Sequence, residues 1–408
     1  MTRLTPSAKP QLRFNGFQGS WTICELGDYL TFKNGINADK DSYGSGYKFI
    51  SVLDIINNDF ITNELITGTV NVDKKTFEKN EVLYGDLLFQ RSSENREEAG
   101  QSNVYLDHNN SSCFGGFVIR GRAKRKYNPV FLNYLLKTDL ARKEIVSKSG
   151  GSTRYNVGQD TLSEVKIYIS GDETEQQKIA DFLSAVDKKI SLLKEKHALL
   201  AQYKKGVMQK LFKQEIRFKD DSGSDFPDWQ WKQGNEFFDA ISNKSHNSDL
   251  PILAITQEHG AIPRDLINYQ VQVTDGSVAS YKVVEEGDYI ISLRSFQGGI
   301  EYSRYKGICS PAYIILRPSI SIDDDFYRYY LKTGKFIQEM KRRLEGIRDG
   351  KILSYKYFSE IKLPYPCIEE QRKISQFINT LDKKISLVKE QIELNQTFKK
   401  GLLQQMFV

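Results

Sequence analysis

The sequence predicts an α+β protein: two similar lobes, each a small sheet with helices packed on it, separated by a pair of long antiparallel coiled-coil helices and related by a pseudo-two-fold internal repeat. Three observations predict it. Residues 175–212 read EQQKIADFLSAVDKKISLLKEKHALLAQYKKGVMQKLF, and residues 370–407 read EQRKISQFINTLDKKISLVKEQIELNQTFKKGLLQQMF, at a constant offset of 195 and without a gap. The repeat reaches beyond this segment, because Phe131, Tyr134, Leu136, Lys137 and Thr138 recur as Phe326, Tyr329, Leu331, Lys332 and Thr333 at the same offset. Between the copies, short β-like runs alternate with turn residues.

The repeated segment is a helix by its period. Apolar positions in the first copy run Ile179, Phe182, Val186, Ile190, Leu193, His197, Leu200, Tyr203, Val207, Leu211. Steps of three and four alternate for most of that run, which is the period of a coiled-coil seam. The second copy gives Ile374, Phe377, Leu381, Ile385, Val388, Ile392, Asn395, Phe398, Leu402, Met406. Acidic residues open each copy (Asp172, Glu173, Glu175; Glu369, Glu370) and suit a helix N-terminus. Each helix would be ~57 Å long at ~1.5 Å per residue, and its simplest partner is the other helix, antiparallel. His197 and Asn395 are each polar where the other copy is apolar, and both are read as register-setting devices. The Lys-Lys pairs (Lys188, Lys189, Lys204, Lys205; Lys383, Lys384, Lys399, Lys400) are placed on the flanks.

Within the lobes, β-like runs fall at 47–53, 82–90, 117–120 and 165–169, then at 250–256, 289–293, 312–317 and 361–364, with helical stretches at 129–147 and 324–344. Gly85-Asp86-Leu87-Leu88 followed by Arg91-Ser92 echoes Gly287-Asp288-Tyr289-Ile290 followed by Arg294-Ser295. The entry segments match too: Arg13-Phe14, Phe17 and Trp21 parallel Arg217-Phe218, Phe226 and Trp229. The resulting order is a first lobe (1–170), a helix (171–212), a linker (213–228), a second lobe (229–368) and a second helix (369–408). A shared frame with divergent inserts fits two readers of different targets; an old duplication that drifted would leave the same trace.

Composition narrows the class. A chain of 408 residues with 39% apolar and 12% aromatic content supports packed cores. No run approaches the ~20 apolar residues of a membrane span, and the N-terminus has no apolar signal core, so an intracellular, cytoplasmic protein is expected. The four cysteines (Cys24, Cys113, Cys309, Cys367) form no C-x-x-C and read as reduced and buried. The four histidines form no metal-ligand pattern. A net charge of +6 is weak evidence for nucleic acid by itself. Two clusters add to it, Arg120, Arg122, Lys124, Arg125, Lys126 and Lys341-Arg342-Arg343, although a solvated face reads the same way.

Catalytic motifs are missing. No two prolines are adjacent, so the Asn/Asp-Pro-Pro-aromatic motif of amino-methyltransferases is absent. Neither a G-x-G-x-x-G nor a G-x-x-x-x-G-K-[ST] occurs, since Gly334-Lys335 and Gly350-Lys351 are followed by Phe and Ile. There is no H-E-x-x-H and no G-x-S-x-G. Pro227-Asp228 lacks the Asp/Glu-x-Lys that a nuclease site needs.

These residues resemble the specificity subunit of Type I restriction-modification enzymes. The resemblance rests on the two E-Q-[QR]-K-I…D-K-K-I-S-L helices, their Tyr203-Lys204-Lys205-Gly206 and Phe398-Lys399-Lys400-Gly401 ends, the Arg-Phe…Trp entries and the Gly-Asp…Arg-Ser elements. Gly151-Ser152-Thr153-Arg154 and residues 346–350 resemble the family's turn after the helices, with their arginines one residue apart under the offset. It covers essentially the whole chain. It implies a non-catalytic reader of double-stranded DNA whose lobes are target recognition domains, each binding half of a split, asymmetric site. The helix pair would act as spacer. Two methyltransferase (modification) subunits would dock on it and methylate adenines, and restriction/motor subunits would join. No cofactor is expected on this chain; S-adenosylmethionine, ATP and Mg are expected on the partners.

Polar loops after strands supply candidate DNA contacts: Lys33, Asn34, Arg91, Ser93, Asn95, Arg96, Gln101, Arg154 and Tyr155 in the first lobe, and Arg294, Phe296, Gln297, Tyr302, Arg304 and Lys351 in the second. Arg reads guanine edges bidentately and Asn or Gln suits adenine, while phosphate contacts position without specifying. The alternatives are a specificity chain of a related Type II system, a coiled-coil scaffold without a nucleic-acid role, which would show no salt-dependent DNA binding, and an unrecognised enzyme active without partners.

Overall fold

The structure, a computed structural model, describes residues 7–247, 249–267, 278–344 and 354–408. It divides into two compact units, one comprising the chain up to Lys196 together with Val388–Val408, the other His197–Leu387. Both long helices form: Glu173–Phe212 and Ile368–Met406. The first is capped by Asp172, whose carboxylate accepts from Thr174 N at 2.8 Å and Glu175 N at 3.3 Å, and anions there also complement the helix dipole. It ends in a left-handed turn at Gln214, φ 62°, where Glu215 N returns to Lys210 O.

In the first unit, strand Trp21–Glu25 pairs antiparallel with Lys166–Ile169. A four-stranded antiparallel sheet follows in the order Leu30–Asn34, Val118–Ala123, Leu87–Gln90, Ser102–Val104. Its core joins Trp21, Phe89, Phe131 and Tyr134 to Ile179 and Leu183 of the first long helix and Leu402, Met406 and Phe407 at the end of the second. The helix segments here run antiparallel. Trp21 bonds Glu175 at 3.1 Å and packs edge-on against Phe407, while Asp187, further along one helix, pairs with Lys399, further back along the other, at 2.6 Å. A three-stranded insert around Tyr43–Ile50 has a small core of Phe49, Val70 and Cys113, and its Ile50 and Phe114 pack with Leu88 and Val118 of the four-stranded sheet.

The second unit repeats this frame. Strand Gln230–Gln233 pairs with Lys362–Tyr365, and a four-stranded sheet runs Phe238–Ile241, Ile314–Pro318, Tyr289–Ile291, Glu301–Tyr302. Leu211 and Phe212 of the first helix and Ile374 and Ile378 of the second close its core over Trp229, Phe237 and Phe326. The helices run antiparallel again: Trp229 bonds Glu370 at 2.9 Å, and Lys204 pairs with Asp382 at 2.5 Å.

Several sequence expectations are corrected. The stretches 129–147 and 324–344 are each two helices, Pro129–Leu136 with Asp139–Lys148, and Asp324–Tyr330 with Gly334–Leu344. The break falls at Thr138 and Thr333, whose hydroxyls cap the following turn by accepting from Ala141 N and Phe336 N. Run 82–90 contributes a strand only at Leu87–Gln90, because Gly85 takes φ +86° and starts a turn. The end of run 47–53 is helical, Val52–Ile56, opened by Ser51 and Asp54 in a capping box. Tyr203 and Phe398 are not seam residues; each is 54% exposed. Asn395 donates to Gln391 O on its own helix and so fixes no register. Lys204 and Lys399 leave the flank and turn inward to Asp382 and Asp187, which sets the register instead.

Candidate nucleic-acid interface

Antiparallel registers gather most of the first-unit candidates at one end of the four-stranded sheet. Asn34 lies opposite Ile119, Gln90 opposite Val118, and Phe89 opposite Ser102. Asn34, Arg91, Phe117 and Gln101 are therefore neighbours at that end. The loop between the inner strand Leu87–Gln90 and the edge strand Ser102–Val104 carries Arg91, Ser93, Asn95, Arg96 and Gln101, and the short strand Tyr155–Asn156 adds to it through Ser93 and Ser92.

The loop is built, not slack. Arg91 N donates to Phe117 O at 2.8 Å and its guanidinium to Gly116 O at 3.2 Å. Buried Ser93 donates to Glu98 at 3.0 Å and accepts from Asn95 N, and Asn95 caps the turn Arg96–Glu98. The Arg96 guanidinium stands 5.9 Å over the Tyr155 ring, and Arg154 faces Glu94 at 3.6 Å. Arg142 ties the loop down from behind with donations to Gly100 O and Ala99 O, both at 2.7 Å. Asn34, Asn95, Arg96 and Arg154 are exposed, and Arg91 is half-buried. Lys33 is occupied by Lys79 O, and partial burial beside Arg120 and Lys79 depresses its pKa. Gln101 is half-buried and hydrogen-bonds through its backbone to Glu98 O and Gln90 N.

The basic cluster at 120–126 does not belong to this end. Arg120 is buried against Glu81 O, and burial lowers its pKa. Arg122 holds Asp86 at 2.7 and 3.0 Å, Arg125 covers Tyr29, and Lys126 pairs with Glu173. These charges stabilise the frame: Arg317 holds Asp288 at 2.7 Å in the second unit in the same way.

In the second unit the candidates separate. Phe296 and Gln297 lie on the short helical turn Ser295–Gly298, with Arg294 just before it, following strand Tyr289–Ile291 in the place of the 91–101 loop. Counted from the Gly-Asp turn, Arg91 matches Leu293 and not Arg294; Arg294 is exposed and precedes the turn, whereas Arg91 is half-buried within the loop. Tyr302 and Arg304 sit at the opposite end of that hairpin, because Tyr302 pairs with Tyr289. Tyr302 donates to Asp324 at 3.1 Å and Arg304 to Asp325 at 3.1 Å. Lys351 and the turn at 346–350 lie outside the described residues. Phe117, which the β-like run 117–120 places at the start of a strand, precedes strand Val118–Ala123 and is 63% exposed. The Gly115-Gly116 pair before it was the available signal of a turn.

No group of His, Cys, Asp and Glu that could hold a metal occurs among the described residues, nor does any described helix long and apolar enough to cross a membrane. Burial pushes the Cys24 and Cys113 thiols up to about 11 and Cys309 to about 12.

The Type I restriction modification DNA specificity domain model matches residues 18–202 and again 228–396. Among curated proteins, the chain is 25% identical over 405 residues to "Putative type I restriction enzyme MjaX specificity subunit" of Methanocaldococcus jannaschii, covering 94% of this chain and 92% of that one. It is 23% identical over 416 residues to the MjaVIII specificity subunit of the same organism, covering 94% and 91%. The crystal structure of a Type I restriction-modification S subunit from M. genitalium shares the fold, with TM-score 0.54, 17% identity and coverage of 98% and 99%. Specificity subunits are the DNA-recognition components of these systems and are not catalytic. The chain therefore belongs to the Type I restriction-modification DNA specificity family and carries its domain twice, as two target recognition domains.

Proposed function

We propose that each unit reads one half of a bipartite, asymmetric DNA site through the sheet end described above, with the long helices setting the spacer and docking two methyltransferase subunits. Restriction and motor subunits complete the assembly. S-adenosylmethionine, ATP and magnesium belong to those partners in this reading. The observation that carries it is the contrast between frame and loops. Sheet order, tryptophan–glutamate bonds and helix ion pairs recur in both units, the ion pairs at the offset of 195, whereas the loops at the reading end differ in length and composition. A duplicated frame presents two copies of one partner site; divergent loops give two different readouts.

The partner site has its own support. In the first unit Leu394 and Phe398, one turn apart on the second helix, are 62% and 54% exposed; in the second unit the equivalent Leu199 and Tyr203 on the first helix are 57% and 54% exposed. Adjacent large apolar side chains at i and i+4, repeated at equivalent places, fit two copies of one helical partner.

The test is to purify the chain with its methyltransferase subunits and sequence the adenine methylation left on random DNA. A split motif with one methylated adenine in each half, on opposite strands, is expected. A stable complex that deposits no motif, or a contiguous motif, would overturn the reading.

A further inference from the structure

Phe117 stands apart from the other exposed apolar residues of the first unit. Single exposed apolar side chains are ordinary, and Leu53 and Leu140, 65% and 59% exposed, lie on helices. Phe117 is 63% exposed at the sheet end, opening on the same depression as Asn95 and Arg154. Its backbone is fixed on all sides: Arg91 N donates to Phe117 O and Val118 N to Gly115 O, both at 2.8 Å, and Gly116 N donates to Ile36 O at 2.8 Å. The turn that carries it is tight. A Cβ at Gly115 would lie 2.7 Å from the Phe49 ring, and one at Gly116 would strike the Asn37 side chain. No ring stacking or cation–π partner of Phe117 occurs among the described residues. A rigid turn thus holds a large apolar ring in water between polar groups suited to base edges.

Major-groove chemistry supplies an apolar target. The thymine C5-methyl projects into the groove beside hydrogen-bonding edges, and apolar side chains contact it. Resting on the DNA-reading function proposed above, we infer that Phe117 is a specificity-determining residue whose ring packs on the methyl group of a thymine in the first half-site. The second unit varies this position. Counting back five residues from the equivalent frame arginines Arg122 and Arg317 reaches Phe117 and Ala312, both exposed. The ring that fills space in one unit is a single methyl in the other, so the two half-sites differ at that base pair.

The experiment uses the chain in complex with its methyltransferase subunits. A randomised duplex pool gives the sequence selected by wild type, by Phe117→Ala and by Phe117→Leu. Each thymine of the wild-type motif is then replaced in turn by deoxyuridine, which removes only the methyl group. Wild type should lose about four-fold in affinity at one thymine of one half-site, the worth of one buried methyl. Phe117→Ala should bind the thymine duplex correspondingly weaker and ignore the replacement; Phe117→Leu should lie between. Its melting temperature should match wild type, since the ring is exposed. The inference is overturned where no thymine responds to deoxyuridine in wild type, or where Phe117→Ala keeps the response. Selection of a sequence motif without either effect would overturn this residue's role alone; selection of no sequence at all would overturn the DNA-reading proposal with it.

Discussion

The Tyr134 hydroxyl donates to the Asp187 carboxylate at 2.7 Å, and 195 residues later Tyr329 donates to Asp382 at 2.6 Å. Each carboxylate also holds a lysine from the other long helix, Lys399 and Lys204, and each lysine stands over the same tyrosine ring at 5.4 and 5.0 Å. Three elements meet at one carboxylate in each unit: the lobe helix and both long helices. Removing one member of such a pair leaves the other charge without its partner, at a cost that grows with burial.

Asp187→Asn should therefore destabilise the first unit by about 2–4 kcal/mol. Asp382→Asn should cost less, because the Asp382 side chain is 38% exposed against 9% for Asp187 and water screens it. Urea unfolding followed by tryptophan fluorescence checks the order. Equal midpoints for the two variants would contradict it.

Glu175 is fully buried and accepts from Arg13 at 2.6 Å, Trp21 at 3.1 Å and Ser170 at 2.6 Å. Glu370 does the same for Arg217 and Trp229. Glu175→Ala leaves an arginine and an indole N–H without their acceptor and should cost about 3–5 kcal/mol. Glu175→Gln keeps one acceptor oxygen and should cost less. Matching losses for both variants in a denaturant series would show that the neutral acceptor oxygen rescues nothing and that the carboxylate charge carries the whole effect.

These duplicated contacts explain what was legible in the sequence. A repeat at fixed offset records positions whose geometry is fixed by several partners at once: Glu175 and Glu370, Tyr134 and Tyr329, Asp187 and Asp382 all fall in it, and Trp21 and Trp229 recur in the entry segments at an offset of their own. The two long helices were legible because their period is independent of the rest of the chain. The helix break at Thr138 was not, since a threonine cap and a mid-helix threonine read alike until the turn is seen. Lys204 and Lys399 were misplaced because a lysine's long stem lets it face either water or a carboxylate. The candidate DNA-contacting end was only partly legible. Polar residues after strands pointed to the loop that carries Arg91 and Asn95, but nothing local told that Tyr302 and Arg304 lie at the opposite end of their hairpin, or that the arginines at 120 and 122 are spent on Asp86 and Glu81.

Lys137 titrates abnormally. Burial, then the nearby Lys399, lowers its pKa to about 8, while its ammonium donates to Asp59 O at 3.2 Å. The unfolded chain keeps a normal lysine near ~10.4. Below pH 8 both states are protonated and the folded state bears the full cost of a buried charge. Between about 8 and ~10.4 the unfolded state binds more protons, so this residue's contribution to stability rises with pH. The melting temperature of wild type relative to Lys137→Met should climb across that window and level off above it. A flat difference would place the ammonium in water.

The exposed pairs Leu199/Tyr203 and Leu394/Phe398 separate docking from folding. All four are more than half exposed, so charge there removes no core contact. Yet a glutamate brought into an apolar interface must be desolvated without a partner, which is costly. Leu394→Glu with Phe398→Glu should leave the melting temperature within about 1 °C, because surface changes are usually worth less than ~0.5 kcal/mol. The same variant should bind one methyltransferase subunit where the proposed wild-type assembly holds two, and substitution of both pairs should leave none. Mass measurement of the purified complexes counts the subunits directly. Two subunits on the fully substituted chain would move the docking surface elsewhere on the helices, while loss of both from the single-pair variant would show that the two sites are filled cooperatively and not independently.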